Sequence, residues 1–309
     1  MKKEEQAIVI ENLNLKINNI HILKNINLQI PKGKITALIG PSGSGKTSFM
    51  RTIVGFYEGE GKIIINGVSF LKNKKELIRK IGYTTQDGCF YEELTVMENI
   101  RYFARLFDVD EETINKRTKN ILEVVRLEAH KNSLSKNLSG GMQRRLDLAI
   151  SIIHKPDILI LDEFTTGLDP TLRVEIWDLI YQIKDMGITI LFSTHLLDEI
   201  EKNCDHIVMI KKGEVALNDS PETLKKKLFA FDEVRIQTNP ADYKKMIKTL
   251  KKNHGVESYR IEDKTLILNT KKPSLIAAQL SYWLKEHDEE LLDIEIRKPT
   301  IDNIYNSIY

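Results

Sequence analysis

The chain has 309 residues, of which 41% are hydrophobic, and its 46 basic and 44 acidic residues leave a net charge of +2. This length predicts about two domains, each with enough apolar residues for a core. The balanced charge gives no reason to expect a nucleic-acid partner, and the two cysteines have neither metal-site spacing nor the pattern of a disulfide framework. No signal-like segment follows Met1 and no window reaches about 18 uninterrupted apolar residues, so we expect the chain not to cross a membrane by itself.

The start of the chain alternates between apolar and polar side chains, as strands do. This alternation predicts strands over residues 7–10, 12–17 and 26–30. These segments lie ahead of the glycine-rich loop described next, and their pattern is that of an antiparallel β layer.

An apolar strand-like run, residues 35–39, leads into a glycine-rich loop and then a helix-like stretch. The loop reads G-x-x-x-x-G-K-T, the complete pattern of a phosphate-binding loop, and the strand–loop–helix context supports the match. Glycines let the backbone turn its N–H groups towards phosphates, the lysine supplies positive charge, and the threonine hydroxyl can ligate Mg²⁺. We therefore predict that the chain binds a nucleoside triphosphate through Gly40, Pro41, Ser42, Gly43, Ser44, Gly45, Lys46 and Thr47.

After this loop the pattern changes from strands to helices and back. A strand is predicted over residues 81–85 and a helical stretch over about residues 95–127. The short unbroken apolar runs Ile158–Leu161 and 188–192 are typical of buried parallel strands. This first unit is expected to end near residue 220.

Acidic and polar side chains follow the predicted buried strands. Asp162 and Glu163 come directly after one of them, at the edge where open α/β sheets bind ligands. Asp162 can hold Mg²⁺, and Glu163 can polarise a water that attacks the terminal phosphate. His195 and Gln86 also follow strands, but taken alone they fit ordinary structural or loop residues.

The run Leu-Ser-Gly-Gly-Met-Gln at residues 138–143 makes the pattern specific. With it, the chain resembles the ATP-binding cassette (ABC) family, whose signature is L-S-G-G-x-Q. The phosphate loop, a glutamine, the signature, the Asp-Glu pair, a Gly-Leu-Asp turn and a histidine occur in the family's order over about residues 7–220. The chain looks most similar to the ATPase subunits of bacterial two-component exporters of drugs, peptides or lipids, and Pro-Thr-Ile-Asp at residues 299–302 fits a run near their end.

The resemblance implies a dimer. In the family, two cassettes pack head to tail around two ATP molecules, with the signature of one copy facing the phosphate loop of the other. Ser139, Gly140 and Gly141 would then contact the γ-phosphate through a hydroxyl, N–H groups and a helix N-terminus. Both half-sites are present in this chain, which allows a homodimer, and a heterodimer with a different cassette stays open. A separate transmembrane permease would hold the ATPase at the cytoplasmic face of the membrane.

The resemblance also implies roles in hydrolysis. Glu163 and His195 would be catalytic, His195 by contacting the γ-phosphate. Thr47, Gln86 and Asp162 would hold Mg²⁺. Hydrolysis would release the dimer, and the region from Gln86 onwards would transmit the cycle to the permease.

Three positions depart from the family pattern. Thr166 stands where serine is common before the Gly-Leu-Asp turn, which is a mild change. Phe164 replaces the proline that usually follows the Asp-Glu pair, which predicts a less rigid loop. Ile17 stands where the family's adenine-stacking aromatic falls. Isoleucine can pack against a base but has no π face, so we expect weak base selectivity and unaltered phosphate recognition.

A new, lysine-rich pattern starts near residue 231. It predicts strands and helices in the order β-α-β-β-α-β, over residues 233–237, 241–253, 256–261, 265–269, 274–286 and 290–296. This order predicts a small α+β, ferredoxin-like domain with Trp283 in its core. Only fold-level analogy supports a regulatory or dimer-supporting role for it.

The expected organisation is therefore an α/β chain with two domains. Residues 1–220 form a P-loop ABC-type ATP-binding domain with an antiparallel β layer, a parallel-strand core and a helical subdomain at about residues 87–150. Residues 221–309 form the accessory or regulatory domain.

Two other functional classes share these motifs. ABC-type translation factors normally carry two cassettes, whereas this chain has one set of motifs, which argues against that class. A soluble ATPase acting on ribosomes or another macromolecule is kept as the alternative. Chromosome-maintenance ATPases insert long coiled coils, for which residues 48–137 leave no room.

Overall fold

The computed structural model describes residues 5–85, 88–228, 231–252, 255–287, 289–298 and 300–309. The chain divides into two compact units, Met1–Pro221 and Glu222–Tyr309, each with helices and strands. Within the described ranges, no helix combines the length and the apolar character that a membrane span requires.

The elements follow the order expected from the sequence. Up to the Asp162-Glu163 pair they are β1 (Gln6–Ile17), β2 (Ile20–Pro31), β3 (Ile35–Ile39), α1 (Lys46–Ile53), β4 (Glu60–Ile65), β5 (Val68–Ser69), α2 (Lys74–Ile78), β6 (Ile81–Thr84), α3 (Val96–Leu106), α4 (Glu111–Val124), α5 (Gly140–Ile152) and β7 (Ile158–Leu161). Then come α6 (Pro170–Asp185), β8 (Thr189–Ser193), α7 (Leu197–Asn203), β9 (His206–Lys211), β10 (Glu214–Asp219) and α8 (Pro221–Leu228). The remaining elements are β11 (Asp232–Asn239), α9 (Tyr243–Lys252), β12 (Ser258–Glu262), β13 (Thr265–Thr270), α10 (Pro273–His287), β14 (Glu290–Arg297) and α11 (Ile301–Ile308).

Strands β1, β2, β4 and β5 form an antiparallel sheet in the order β2-β1-β4-β5. The expectation of two separate strands before residue 18 is wrong, because β1 runs unbroken from Gln6 to Ile17. A bulge around Asn12, whose φ is 53°, absorbs the break in the apolar pattern. The N–H of Asn12 stays satisfied, since it donates to Oδ1 of Asn27 at 2.9 Å.

The second sheet of the first unit has the order β10-β9-β3-β8-β7-β6, and its neighbours are parallel except for β9 and β10. Strands β3, β7 and β8 are buried along their whole length, which explains their unbroken apolar sequences. Leu161 pairs with Thr84 on one side and Phe192 on the other, while Leu38 pairs with Ser193. The residues that follow β3, β6, β7 and β8 therefore emerge at one edge of the sheet.

The helical stretch predicted over residues 95–127 is two helices, α3 and α4. Thr95 begins α3 with a capping box, because its hydroxyl accepts the N–H of Glu98 and the Glu98 carboxylate accepts the N–H of Thr95. Asp108 has a positive φ of 56° between the helices, and the Asp110 side chain caps α4. Local side-chain caps thus interrupt an apolar periodicity that reads as continuous.

The second unit has an antiparallel sheet in the order β12-β13-β11-β14. Together with the chain order β-α-β-β-α-β, this confirms the predicted ferredoxin-like arrangement. Trp283 is buried in its core, as expected, with Ile276 and Leu280 of the same helix. Leu275 and Tyr282 of the same helix are exposed, although they are spaced to continue its apolar face.

Helix α11 is an element that the sequence pattern did not predict. The Thr300 hydroxyl caps it by accepting the N–H of Asn303 at 3.4 Å, and Ile301 and Ile304 are buried. Pro299, the first residue of the Pro-Thr-Ile-Asp run, lies outside the described residues.

Candidate functional site

The phosphate-binding loop lies between β3 and α1, at the sheet edge defined above. Gly40, Gly43 and Gly45 have φ values of 157°, 76° and 107°, which side-chain-bearing residues rarely adopt. A Cβ atom on Gly40 would lie 2.3 Å from the carbonyl oxygen of Ile210 on β9, so a larger residue there would displace the loop. The glycines thus hold the loop close to the sheet.

The loop also has polar groups that suit an anion. Pro41 and Ser42 are exposed, whereas the Ser44 hydroxyl is buried and has no hydrogen-bond partner in the described part of the chain. A buried hydroxyl without a partner is costly, and a phosphate oxygen would accept its proton. The residues present therefore fit a bound phosphate chain.

Lys46 brings a positive charge to the same loop. Its Nζ donates to the carbonyl oxygens of Gly40 at 2.8 Å and Pro41 at 3.3 Å, and the side chain is buried. Burial lowers the pKa of Lys46, while the nearby carboxylates of Glu163 and Asp162 oppose this shift. The ammonium group is thus held beside the glycines, within the field of both acids.

Asp162 lies at the centre of a hydrogen-bonded cluster. Its Oδ1 accepts the hydroxyl of Ser193 at 2.7 Å and that of Thr47 at 3.3 Å. These hydrogen bonds join the phosphate loop to β8, and the Asp162 side chain between them is buried. Hydroxyl and carboxylate oxygens are ligands that Mg²⁺ prefers, so this donor set fits a magnesium ion shared with a phosphate.

Ser193 is a site residue to which the sequence reasoning gave no role. Besides bonding Asp162, its Oγ accepts the backbone N–H of Glu163 at 2.9 Å. The available signal was its position, a hydroxyl ending the strand beside the one that leads into the Asp-Glu pair. Only the parallel register places it there.

Glu163 and His195 follow the adjacent strands β7 and β8. Glu163 is partly buried and has a φ of 48°, a left-handed conformation that is uncommon outside glycine. His195 is exposed. Gln86, expected at the same edge after β6, lies outside the described residues.

Phe164 anchors the loop after Glu163 through its side chain. Its ring is buried, and the guanidinium carbon of Arg144 lies 5.5 Å from the ring centre. Arg144 also lies 3.8 Å from the Asp147 carboxylate on the same helix. The loop that we expected to be less rigid is therefore attached to α5 by packing and charge.

The signature residues begin helix α5. Ser139 is the N-cap, and its Oγ accepts the N–H of Met142 at 3.4 Å. Ser139 and Gly140 are exposed at this end of the helix. A Cβ atom on Gly141 would lie 2.8 Å from Leu172, so this glycine allows the close approach of α5 to the first turn of α6.

Ile17 ends β1 beside a turn of two asparagines. Asn18 and Asn19 have positive φ values of 48° and 61°, and Ile17 is partly buried against the core of the first unit. Its aliphatic side chain is thus held at the end of the strand by packing.

Comparison with known proteins agrees with this geometry. A family model described as ABC transporter matches residues 23–166. The Nod factor export ATP-binding protein I of Rhizobium johnstonii is 31% identical and covers 89% of each chain. The linearmycin resistance ATP-binding protein LnrL of Bacillus subtilis is 26% identical over 96% of each. An import subunit, the spermidine/putrescine protein PotA of Fusobacterium nucleatum, is 36% identical over 71% of this chain and 58% of its own.

Solved structures give the same result. The cbiO1 protein of Clostridium perfringens, described as part of the ABC transporter complex cbiONQ, is 30% identical with a TM-score of 0.67, covering 72% of this chain and 92% of that one. The chain spans 31% of the length of one curated relative and 96% of another. Similarity at these levels, together with the ordered motifs and the meeting of the phosphate loop with Asp162 and Ser193 at one sheet edge, shows that the chain belongs to the family of ABC transporter ATP-binding proteins.

Proposed function

We propose that the chain hydrolyses ATP as a subunit of an ABC exporter, dimerising around two ATP molecules and driving a separate membrane permease. The observation that carries this proposal is the buried contact of Asp162 with Thr47 and Ser193, directly beside the phosphate loop. A magnesium-binding carboxylate at the terminal-phosphate end of such a loop is the arrangement that phosphoryl transfer requires.

The phosphate chain of ATP is bound by the loop backbone and by Lys46. The N–H groups at the start of α1 and the buried Ser44 hydroxyl supply donors, and Lys46 neutralises charge on the β- and γ-phosphates. Mg²⁺ would orient and neutralise the same oxygens, and Thr47 and Asp162 would hold it, with Gln86 as the further ligand implied by the family.

Glu163 acts as the general base in this proposal. Its backbone N–H is held by Ser193, which in turn bonds Asp162, so the carboxylate that polarises water and the metal-holding carboxylate are positioned together. His195 contacts the γ-phosphate from the neighbouring strand end. Glu163 removes a proton from the attacking water as its oxygen bonds to the terminal phosphorus. The bond from that phosphorus to the bridging oxygen breaks, and ADP leaves.

The proposed dimer places the start of α5 on the ATP bound to the other copy. Support comes from the exposure of Ser139 and Gly140 and from their position at a helix N-terminus, which attracts anions. A symmetric homodimer would then contain two equivalent sites.

The proposed permease contact is an apolar cavity of about 260 Å³ between the sheet and the helical region. Among its lining residues are Ile78, Tyr83, Phe103 and Leu106, and Leu106 is 59% exposed. A short amphipathic segment of the permease, at the cytoplasmic face of the membrane, would cover these side chains. The export direction rests on two relatives that align along almost the whole chain, a Nod factor export ATP-binding protein and a linearmycin resistance ATP-binding protein.

The catalytic test is Glu163→Gln. Losing a general base should lower steady-state ATP hydrolysis by roughly 100- to 10,000-fold. ATP binding should be retained, and size exclusion with ATP should show a long-lived dimer. Asp198→Asn, which neutralises an exposed carboxylate, is the matched control and should hydrolyse ATP like the wild type. Near-normal turnover of Glu163→Gln would contradict the assignment.

The binding test is Lys46→Ala, because charge-assisted contacts to the phosphates are lost. Isothermal titration should show that ATP no longer binds, and unchanged affinity would contradict the phosphate-loop assignment.

For the permease contact, Leu106→Asp should release the chain from membranes while the isolated protein keeps its ATPase activity. Met186→Asp, at an exposed position at the end of α6, should stay membrane-associated.

A further inference from the structure

The carboxylate of Glu199 lies where the two loops carrying the proposed catalytic residues meet. Glu199 is on α7 and only 3% exposed. Its Oε2 accepts the hydroxyl of Thr165 at 2.8 Å and that of Thr194 at 3.4 Å. One oxygen atom thus bonds to the segment after β7 and to the segment after β8.

Each threonine lies close in sequence to a proposed catalytic residue. Thr165 is two residues after Glu163, whose own φ is positive. Thr194 directly precedes His195, and its Oγ1 also accepts the N–H of Leu196 at 3.0 Å, which closes a turn around the histidine. Moving the Glu199 carboxylate would therefore shift both loops together.

Arg173 on α6 completes the cluster. Its Nε lies 3.3 Å from Oε1 of Glu199, and its Nη2 donates to the carbonyl oxygen of Leu168 at 3.2 Å. Leu168 belongs to the Gly-Leu-Asp turn before α6. The carboxylate is therefore connected to a third segment, the one that leads from the loop after β7 into α6.

A buried carboxylate needs such partners. Burial raises the pKa of Glu199, whereas its hydrogen bond from Thr165 and the charge of Arg173 lower it. A buried ion pair often adds little to stability compared with apolar residues of similar volume, so it is weak evidence for a stabilising role. The contacts of Glu199 with both loops favour a positioning role instead.

We propose that Glu199 is a positioning residue that sets the distance between Glu163 and His195. The inference rests on the proposed function, since it needs these two residues to act on the same phosphate. In this scheme the Glu199 side chain makes no contact with ATP. Its removal should therefore slow the chemical step and leave nucleotide binding unchanged.

The test compares Glu199→Met, which removes both acceptor oxygens, with Glu199→Gln, which keeps one. Glu199→Met should lower kcat by roughly 10- to 100-fold, because a displacement of about 1 Å can cost about 100-fold in rate. Its KM for ATP should stay within about twofold of the wild-type value. The phosphate loop and Lys46, which bind ATP, are unchanged in this variant. Glu199→Gln should recover part of the lost kcat, because an amide oxygen can still accept the threonine hydroxyls.

Thr165→Val and Thr194→Val keep the Glu199–Arg173 pair, so they remain informative even if Glu199→Met fails to fold. Each should lower kcat, and combining either with Glu199→Met should add little further loss. Asp205→Asn is the matched control: Asp205 also pairs with a cation, Lys184, but it bonds the N–H of Ile35 at the opposite end of β3. It should leave kcat unchanged.

The outcomes separate the inference from the function on which it rests. Threonine variants with wild-type kcat, or a rise in KM that accounts for the whole loss in Glu199→Met, would overturn the positioning role while Glu163→Gln still abolishes hydrolysis. If the Glu163→Gln variant hydrolysed ATP as fast as the wild type, the proposed function would be overturned and this inference with it.

Discussion

Protonation of His154 should destabilise the first unit as the pH falls below 6.5. His154 lies just after α5 in the chain. Its ring donates from Nε2 to the carbonyl oxygen of Ile81 at 3.2 Å and stacks on Phe107 with 3.8 Å between ring centres. In this tautomer Nδ1 carries no proton, and it is buried without a hydrogen-bond partner among the described residues. Burial lowers the His154 pKa from 6.5 to about 4, the Ile81 hydrogen bond opposes the shift, and the charge of Arg117 adds to it.

The size of the effect follows from linkage between protonation and folding. The unfolded state binds a proton as the pH falls through 6.5, whereas the folded state stays neutral until about pH 4. Above pH 6.5 the histidine is neutral in both states, so its pKa shift does not affect the free energy of unfolding. Stability is lost as the pH falls from 6.5 towards about 4. With about 1.4 kcal/mol for each unit of pKa difference, the loss is about 2 kcal/mol at pH 5 and approaches about 3 kcal/mol below pH 4.

His154→Gln is the test, because its amide can keep the hydrogen bond to Ile81 but does not titrate. Urea unfolding would be followed in a Trp283→Phe background, in which Trp177 of the first unit is the remaining tryptophan. Between about pH 7.5 and about pH 5, the protein with His154 should lose about 2 kcal/mol more of its free energy of unfolding than the variant. An equal loss in both proteins would refute the reasoning.

Three further predictions concern the site and the domains. Ser193→Ala removes a hydrogen bond to the Asp162 carboxylate, so kcat should fall roughly tenfold, equivalent to about 1.4 kcal/mol, with little change in ATP affinity; unchanged kinetics would contradict this. Since base stacking on an aromatic contributes about 1–3 kcal/mol, Ile17→Tyr should tighten ATP binding without much change in the maximal rate, and GTP should compete within about tenfold for the wild type in titrations. A hundredfold preference for ATP, unaltered in Ile17→Ala, would exclude contact with the base. Truncation after about residue 220 should leave a folded, ATP-binding protein, and an insoluble or nucleotide-blind product would show that both units form one core.

Short-range patterns were sufficient to predict much of this molecule. The phosphate loop is specified by eight consecutive residues, because glycines at fixed positions allow the backbone angles that cradle an anion. The apolar runs of β7 and β8 predicted buried parallel strands, since a strand covered on both faces has no polar alternation. In the second unit, the order of strand and helix patterns predicted the ferredoxin-like arrangement.

Local competition between signals explains where the pattern was misleading. Asn12 interrupts the alternation in β1, yet a bulge keeps the strand intact. Asp108 and Asp110 end one helix and begin another inside a stretch whose apolar residues keep helical spacing. The exposure of Tyr282 depends on what packs against α10, which its own periodicity does not contain.

By itself, the sequence determined the chemistry available at the site: a phosphate loop, Asp162 and Glu163 after one strand, and a histidine after another. Only the tertiary structure decided which side chains support them. Ser193 reaches Asp162 because the parallel register of β7 and β8 places their ends side by side. Glu199 meets both loops because α7 brings its carboxylate within hydrogen-bond distance of Thr165 and Thr194. The Ser193–Asp162 and Glu199–Thr165 contacts join residues 31 and 34 positions apart. A local pattern cannot encode them, since they depend on strand order and packing.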